Sequence, residues 1–166
     1  MSEEPERKGA FDVLVGGLDY PMFIATTGSG GEMAGCLVGF ATQCSIDPPR
    51  FLICLSEKNR TCRVAREADA LAVHFVPSSA QRLAQLFGGE TGDEVDKFAA
   101  CEWREGPGRL PILAACDNWF VGEILARHVL GDHVGFLLEP TEAHHGIPFD
   151  EFTFHRARRI DPGHEP

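Results

Sequence analysis

The chain has 166 residues, of which 43% are apolar and 24% charged, and its formal net charge is −10. This composition is typical of one globular domain with a full hydrophobic core. The acidic balance argues against a nucleic-acid partner, because phosphate binding needs a concentrated basic surface, and the sequence has a basic run only at residues 156–159.

Signals for secretion, membrane insertion and metal binding are weak. No apolar run approaches the roughly 20 residues that span a bilayer, and residues 2–8 are charged, unlike a signal peptide. Six cysteines occur without a Cys-x-x-Cys pair or zinc-ligand spacing. We therefore expect free thiols, a cytoplasmic location, no membrane partner and no metal site.

The first half of the chain predicts one short helix followed by strands. Apolar residues at helical spacing predict a helix over residues 11–18, and we expect residues 1–10 to be a flexible leader. Strands follow at residues 22–27, 33–44 and 50–55, with a hairpin at 28–31 and an extended break at Asp47-Pro48-Pro49. Gly35 and Gly39 inside the second strand indicate a barrel bend, a close approach of a ligand, or both.

The second half predicts helices inserted between further strands. A helix is expected at residues 61–68, and another begins with a capping box of Ser78 and Gln81 and ends at Gly88-Gly89. Strands are expected at 70–76, 115–130 with a bend at Gly122, 133–143 and 152–155, a covering segment at 90–110, and a tail at 158–166. Six or seven strands without βαβ alternation predict a mostly β, antiparallel barrel with a few short helices.

Two segments carry candidate chemistry. Ser56-Glu57-Lys58-Asn59-Arg60-Thr61 opens a helix with hydroxyl, amide and cationic donors, which suits a phosphate, although this segment taken alone is more typical of an ordinary capped helix with solvated charges. Neither a P-loop nor a Rossmann glycine motif is present.

Gly131-Asp132-His133 is the second segment. Histidine at the start of a strand can exchange protons or donate hydrogen bonds in a cleft, and Asp132 can orient it. The alternative is a turn aspartate followed by a partly buried strand histidine.

Several of these elements, in this order, resemble the flavin reductase-like proteins, the reductase components of two-component flavin monooxygenases. The resemblance covers about residues 11–157, which we expect to form the domain. Its most specific parts are Ser45-Ile46-Asp47-Pro48-Pro49 and Gly131-Asp132-His133; Thr26-Thr27, residues 35–41, residues 55–61, residues 81–87 and Lys97-Phe98 also match.

The resemblance implies a Greek-key split barrel, normally a homodimer, that transfers hydride from NADH or NADPH to FMN or FAD and supplies reduced flavin to a monooxygenase. His133 and Asp132 would lie near the nicotinamide, His133 positioning or polarising it. By position, the flavin ring would be lined by Leu37, Val38, Gly39, Gln43, Cys44 and Ser45, and the phosphate held by Ser56, Lys58, Asn59 and Thr61.

The chain departs from the family pattern at Leu37 and Gly39, where family members often carry a polar residue. Either backbone groups would supply those flavin contacts here, or the contacts are fewer. Two alternatives to this function stay open: a reductase of the same fold that uses a deazaflavin, and a non-catalytic module that binds flavin or haem.

Overall fold

A computed structural model of the chain describes residues 3–162, with side chains described from Gly9 onward. The predicted tail therefore lies outside the described residues at positions 163–166. The helices are α1 (Glu3–Gly16), α2 (Arg60–Ala65), α3 (Gln81–Gly89) and α4 (Phe154–Ala157), with short 3-10 helices at Lys97–Ala100 and Pro107–Arg109. The strands are β1 (Phe23–Ser29), β2 (Glu32–Val38), β3 (Ala41–Ser45), β4 (Arg50–Ser56), β5 (Ala70–Phe75), β6 (Trp103–Glu105), β7 (Pro111–Leu113), β8 (Trp119–Val129) and β9 (His133–His144).

Seven of the strands form one antiparallel sheet in the order β2-β1-β5-β8-β9-β4-β3. Side chains of β2 at one end of this order and of β4 near the other contact the same buried cluster, which includes Cys36, Val38, Ile53 and Leu55. Because both ends of the sheet reach one core, the sheet curves into a barrel. The predicted mostly β, antiparallel barrel class is confirmed.

The strand predicted over residues 33–44 is wrong in one respect, since the structure divides it into β2 and β3. These two strands are the two edges of the sheet, so the chain passes from one edge to the other at Gly39 and Phe40. A Cβ at Gly39 would lie 3.0 Å from the Tyr20 ring and 3.2 Å from the Met22 sulfur, so glycine permits a close approach there. Small apolar residues give no turn signal, which hid this break.

Helix α3 packs outside the barrel on a second buried cluster that includes Met22, Phe87, Phe98 and Phe152. The predicted capping box is wrong: the N-cap is Ala80, without a side-chain cap. Arg156 instead donates to Gln81 Oε1 at 2.8 Å and to the Ser78 carbonyl at 2.9 Å. Arg156, which is distant in sequence, therefore binds the two residues that the local pattern assigned to the cap.

The two ends of the chain also differ from expectation. Helix α1 begins at Glu3, so residues 3–10 are helical where we expected a flexible leader. Its side chains at Phe11, Val13 and Leu14 are 62–76% exposed, so they are not buried in the core that residues 9–162 form. The strand predicted at residues 152–155 is wrong: helix α4 starts at Phe154, after isolated bridges at Thr153 and Glu151.

Candidate functional site

A cleft of about 260 Å³ opens where the β2 edge faces the end of β4 and the start of β9. We call it the barrel cleft. Its lining combines apolar residues of β2 and α3 with polar residues from the β4–α2 loop and β9. The lining residues are Tyr20, Met22, Cys36, Leu37, Val38, Gly39, Phe40, Cys54, Leu55, Ser56, Asn59, Phe87, Gly88, Glu90, His133, Phe154 and Pro162.

One side of the barrel cleft, the apolar wall, is made where β2 packs against α3. Val38 is buried and Leu37 is half-buried. A Cβ added at Gly88 would lie 2.8 Å from Leu37 Cδ2, so the helix approaches the strand as closely as glycine allows. Aromatic rings extend this wall, with Tyr20 stacked on Phe154 at 4.8 Å between ring centroids. The surface of this wall is mainly apolar.

Lys97 joins the two elements of the apolar wall, β2 and α3. Lys97 is 5% exposed, and its ammonium donates to the Gly35 carbonyl of β2 at 3.0 Å and to the Phe87 carbonyl of α3 at 3.1 Å. Burial lowers the pKa of Lys97, while the charge of Glu90 opposes this shift. Burial also raises the pKa of Cys36 to about 11, so that thiol stays neutral at physiological pH. The wall therefore contains a buried cation with two carbonyl partners.

The opposite side, the polar wall, comes from the β4–α2 loop and the start of β9. Ser56 pairs with His133 in the sheet register, and the Glu57 amide donates to the Asp132 carbonyl at 3.0 Å. Asn59 caps α2, its side-chain oxygen accepting from the Thr61 amide at 2.9 Å. The predicted phosphate segment and the Gly-Asp-His segment are thus neighbours in space.

His133 is the titratable group at the mouth of this wall. Its Nδ1 lies 2.7 Å from Asp132 Oδ1, and its side chain is 25% exposed. Hydrogen bonding and the charge of His133 lower the pKa of Asp132, with a further contribution from Lys58. Asp132 therefore stays ionised and accepts from Nδ1–H, which holds the imidazole with Nε2 free of that bond. The Phe40 ring lies 5.1 Å from the imidazole, between centroids.

The structure gathers six of the predicted site residues around the barrel cleft: Leu37, Val38, Gly39, Ser56, Asn59 and His133. Asp132 joins them through its bond to His133. Lys58 is exposed on the same loop, and its charge acts on Asp132.

The other predicted residues point elsewhere in this chain. Gln43, Cys44 and Ser45 lie on β3, with Gln43 lining a second, aromatic cavity of about 570 Å³ that includes Phe51 and Phe75. Thr61 is 1% exposed, and its side chain contacts the Cys36 thiol inside the core. The flavin-binding roles of these four residues remain predictions.

Sequence reasoning missed the contributions of Tyr20, Glu90, Phe154 and Pro162 to the cleft. These residues come from both ends of the chain and from the end of α3, and no local motif marks them.

Other kinds of candidate site have less support. Within residues 3–162, no group of three or more His, Cys, Asp or Glu side chains is arranged to hold a metal ion. His144 stacks on Trp119 at 5.8 Å instead. Among the described helices, none is both long and apolar enough to cross a membrane.

Comparisons with known proteins agree with this architecture. The chain is 26% identical over 164 residues to the 4-hydroxyphenylacetate 3-monooxygenase reductase component of Pseudomonas aeruginosa, covering 94% of this chain and 95% of that protein. It is 27% identical to the FMN reductase (NADH) RutF of Ancylobacter novellus, covering 66% of this chain and 60% of that protein. A third relative, the stachydrine N-demethylase reductase subunit Stc3 of Rhizobium meliloti, is longer, and the chain spans 45% of its length.

Solved structures share the fold. A flavin reductase domain protein from Arthrobacter sp. FB24 superposes with a TM-score of 0.81 at 21% identity, over 90% of this chain and 91% of that one. The NADH:FAD oxidoreductase SgcE6 of Streptomyces globisporus C-1027 also gives 0.81, at 22% identity, over 91% and 90%. The sequence profile described as "Flavin reductase like domain" matches residues 15–161. The chain therefore belongs to the flavin reductase-like domain family, as its motifs predicted.

Proposed function

We propose that this chain is an NAD(P)H-dependent flavin reductase that reduces FMN or FAD in the barrel cleft. The observation that carries the proposal is the cleft itself, which joins an apolar wall to a polar wall where a histidine is hydrogen-bonded to an aspartate. Relatives whose printed names are FMN reductase (NADH) and NADH:FAD oxidoreductase point to the same chemistry.

The residues present fit a flavin. A tricyclic ring needs an apolar surface, which Leu37, Val38 and the Tyr20–Phe154 stack supply. Gly39 lines the same cleft, so its backbone groups can contact ring atoms. A phosphate needs donors and positive charge, which Ser56, Asn59 and Lys58 supply at the polar wall. The bound flavin would supply the hydride-accepting chemistry.

The protein's contribution is to hold and orient the two reactants. Asp132 keeps the His133 imidazole in one orientation through a 2.7 Å hydrogen bond at Nδ1, which leaves Nε2 free of that bond, and His133 lines the cleft. From there Nε2 can hydrogen-bond the carboxamide of a nicotinamide and hold it against the apolar wall. Such positioning is worth several orders of magnitude in rate when two reactants must meet in one geometry.

NADH is the expected donor. Three arginines of α2 and its C-cap could serve the 2′-phosphate of NADPH, but each is already paired with a carboxylate. Arg63 binds Asp93 at 2.7 Å, Arg66 binds Glu57 at 3.1 Å and Arg60 lies 3.6 Å from Glu32. Binding a 2′-phosphate would require one of these pairs to break.

A monooxygenase partner and a homodimer belong to the same proposal. Relatives in Pseudomonas aeruginosa and Escherichia coli are named reductase components of a monooxygenase. For the dimer, apolar side chains lie exposed beside the cleft, with Phe40 at 57%, Leu130 at 54% and Val129 at 72%. A second subunit would cover this surface. The six free cysteines fit the cytoplasm that we propose as its location.

The decisive experiment is an anaerobic titration of the purified protein with NADH in the presence of FMN and, separately, FAD. We expect flavin absorbance to bleach with one equivalent of NADH, faster than with NADPH. Size-exclusion chromatography with light scattering should give twice the chain mass. A Soret band, or no NADH-dependent bleaching with either flavin, would refute the proposed activity and favour a binding module; rates with a deazaflavin test the remaining alternative.

A further inference from the structure

The end of the described chain returns to the barrel cleft. After α4, the Ile160 amide donates to the Ala157 carbonyl at 2.9 Å, and the chain turns toward the C-terminal end of α3. Pro162 then lines the barrel cleft together with Leu37, Gly88 and His133. We call residues 160–162 the tail segment. It adds a third side to a site whose other two sides are the apolar and polar walls.

A pair of glycines at the end of α3 makes room for this arrangement. A Cβ at Gly89 would lie 3.2 Å from Ile160 Cγ2 and 3.3 Å from the Asp161 carbonyl. A Cβ at Gly88 would lie 2.8 Å from Leu37 Cδ2. Gly88 therefore lets β2 approach the helix closely, and Gly89 does the same for the tail segment. The same turn of helix fixes both against the cleft.

The tail segment is held lightly. Ile160 is half-buried and packs on the second buried cluster, whereas Asp161 and Pro162 are exposed. A short segment outside the sheet with one apolar anchor opens at a small cost in free energy compared with the barrel strands. Its opening would widen the cleft without disturbing the sheet.

We propose that the tail segment is a movable wall of the flavin site, with Ile160 as its anchor and Pro162 as the part that contacts bound flavin. This inference rests on the proposed function. It assigns to residues 160–162 the control of flavin retention, which decides how readily reduced flavin leaves for another protein. The hydride-transfer geometry stays with β2 and His133.

The test compares Ile160→Ala and Pro162→Gly with wild type. The matched control is Ile147→Ala, since Ile147 is 69% exposed and lines no part of the barrel cleft. Flavin Kd is measured by fluorescence quenching with FMN and FAD, alongside steady-state kinetics and thermal unfolding. We expect flavin Kd and KM to rise roughly three- to tenfold in both variants, as for loss of one apolar contact. At saturating flavin, kcat should stay within about twofold of wild type.

The flavin affinities and rates of the variants distinguish the possible roles of the tail segment. Wild-type affinity in both tail variants overturns the moving wall while leaving the reductase proposal intact. A wild-type protein that binds neither flavin refutes both proposals together. If Ile160→Ala lowers the melting temperature, Pro162→Gly decides, because its ring has no anchoring role. A fall in kcat equal to the loss in kcat/KM would assign the segment to the reaction geometry and overturn its role in retention.

Discussion

The two walls of the barrel cleft differ in how they are built. In the apolar wall, β2 and α3 meet at glycines and are joined by the buried ammonium of Lys97. In the polar wall, the β4–α2 loop and β9 present half-exposed or exposed groups, among them Ser56 and His133. The apolar wall therefore supplies the shape of the cleft, and the polar wall supplies its chemistry. Changes in the apolar wall should cost stability, and changes in the polar wall should cost activity alone.

Lys97→Met should have the largest effect on the apolar wall. The substitution removes two charge-assisted hydrogen bonds and leaves the Gly35 and Phe87 carbonyls buried without that partner. We expect a loss of about 3 kcal/mol in the free energy of unfolding. For a chain of this size, that corresponds to a fall of roughly 6–12 °C in melting temperature. Urea unfolding and thermal scans measure both quantities.

Lys58→Met is the matched control for Lys97 in the polar wall. Lys58 is exposed, so its loss should change the free energy of unfolding by less than about 0.5 kcal/mol. Flavin affinity should fall instead, because Lys58 contributes positive charge at the predicted phosphate position. Equal stability losses in the two variants would contradict the division of labour between the walls.

The pH dependence of stability should come next in size, and it contrasts two histidines. His74 is fully buried, with Nδ1 2.9 Å from the Ile24 carbonyl and Nε2 accepting from the Leu113 amide at 3.1 Å. Burial lowers its pKa from 6.5 to about 4. The unfolded chain therefore binds a proton on His74 at a higher pH than the folded protein does.

The sign follows directly from this depressed pKa. The stabilisation by neutral His74 is complete above pH 6.5 and is lost as pH falls from 6.5 toward 4, by about 3 kcal/mol in all. Urea midpoints across that range check the expectation. Acidic groups with lowered pKa values, such as Asp132 and Asp19, add their losses below this window. A flat profile between pH 6.5 and 4.5 would show that His74 does not stay neutral in the folded state.

His133→Ala should affect activity without affecting stability. The side chain is 25% exposed and bonded to an exposed carboxylate, so its removal leaves no buried group without a partner. We expect kcat/KM for NADH to fall roughly tenfold, as for loss of one positioning hydrogen bond, with an unchanged melting temperature. Asp132→Asn should give a smaller fall, roughly threefold. Stopped-flow flavin reduction measures both rates.

His128→Ala provides the control, because His128 is exposed on β8 and lies outside the residues that line the barrel cleft. Its reduction rate should match wild type. If His133→Ala reduces flavin at the wild-type rate, the residue has no part in orienting the nicotinamide, and only the predicted flavin contacts of the polar wall remain.

The sequence predicted the positions of most strands and less of the site. Alternating or continuous apolar runs located β1, β4, β5, β8 and β9, because each strand buries a face in the same core. No local pattern marks the break at Gly39 and Phe40, because the residues that Gly39 approaches closely, Tyr20 and Met22, lie elsewhere in the sequence.

The site shows the same division between local and distant information. Ser56, Asn59 and His133 were predicted from motifs that lie within single segments. Lys97 and Pro162 gained their positions from contacts with strands and helices elsewhere in the chain, which no local pattern encodes. For the same reason Thr61, chosen for its place in a motif, lies with its side chain in the core.

Gly88→Ala should cost less stability than Lys97→Met and gives the sharpest test of the apolar wall. The added Cβ would lie 2.8 Å from Leu37 Cδ2 and 3.2 Å from Leu37 Cβ, so Leu37 and its strand must move. We expect a loss of about 1–2 kcal/mol in the free energy of unfolding, together with weaker flavin binding. Gly9→Ala is the control, since that helical glycine has nothing within 4 Å and alanine there should stabilise slightly. If Gly88→Ala weakens flavin binding while stability is unchanged, the wall adapts to its ligand, and its rigidity is not what shapes the site.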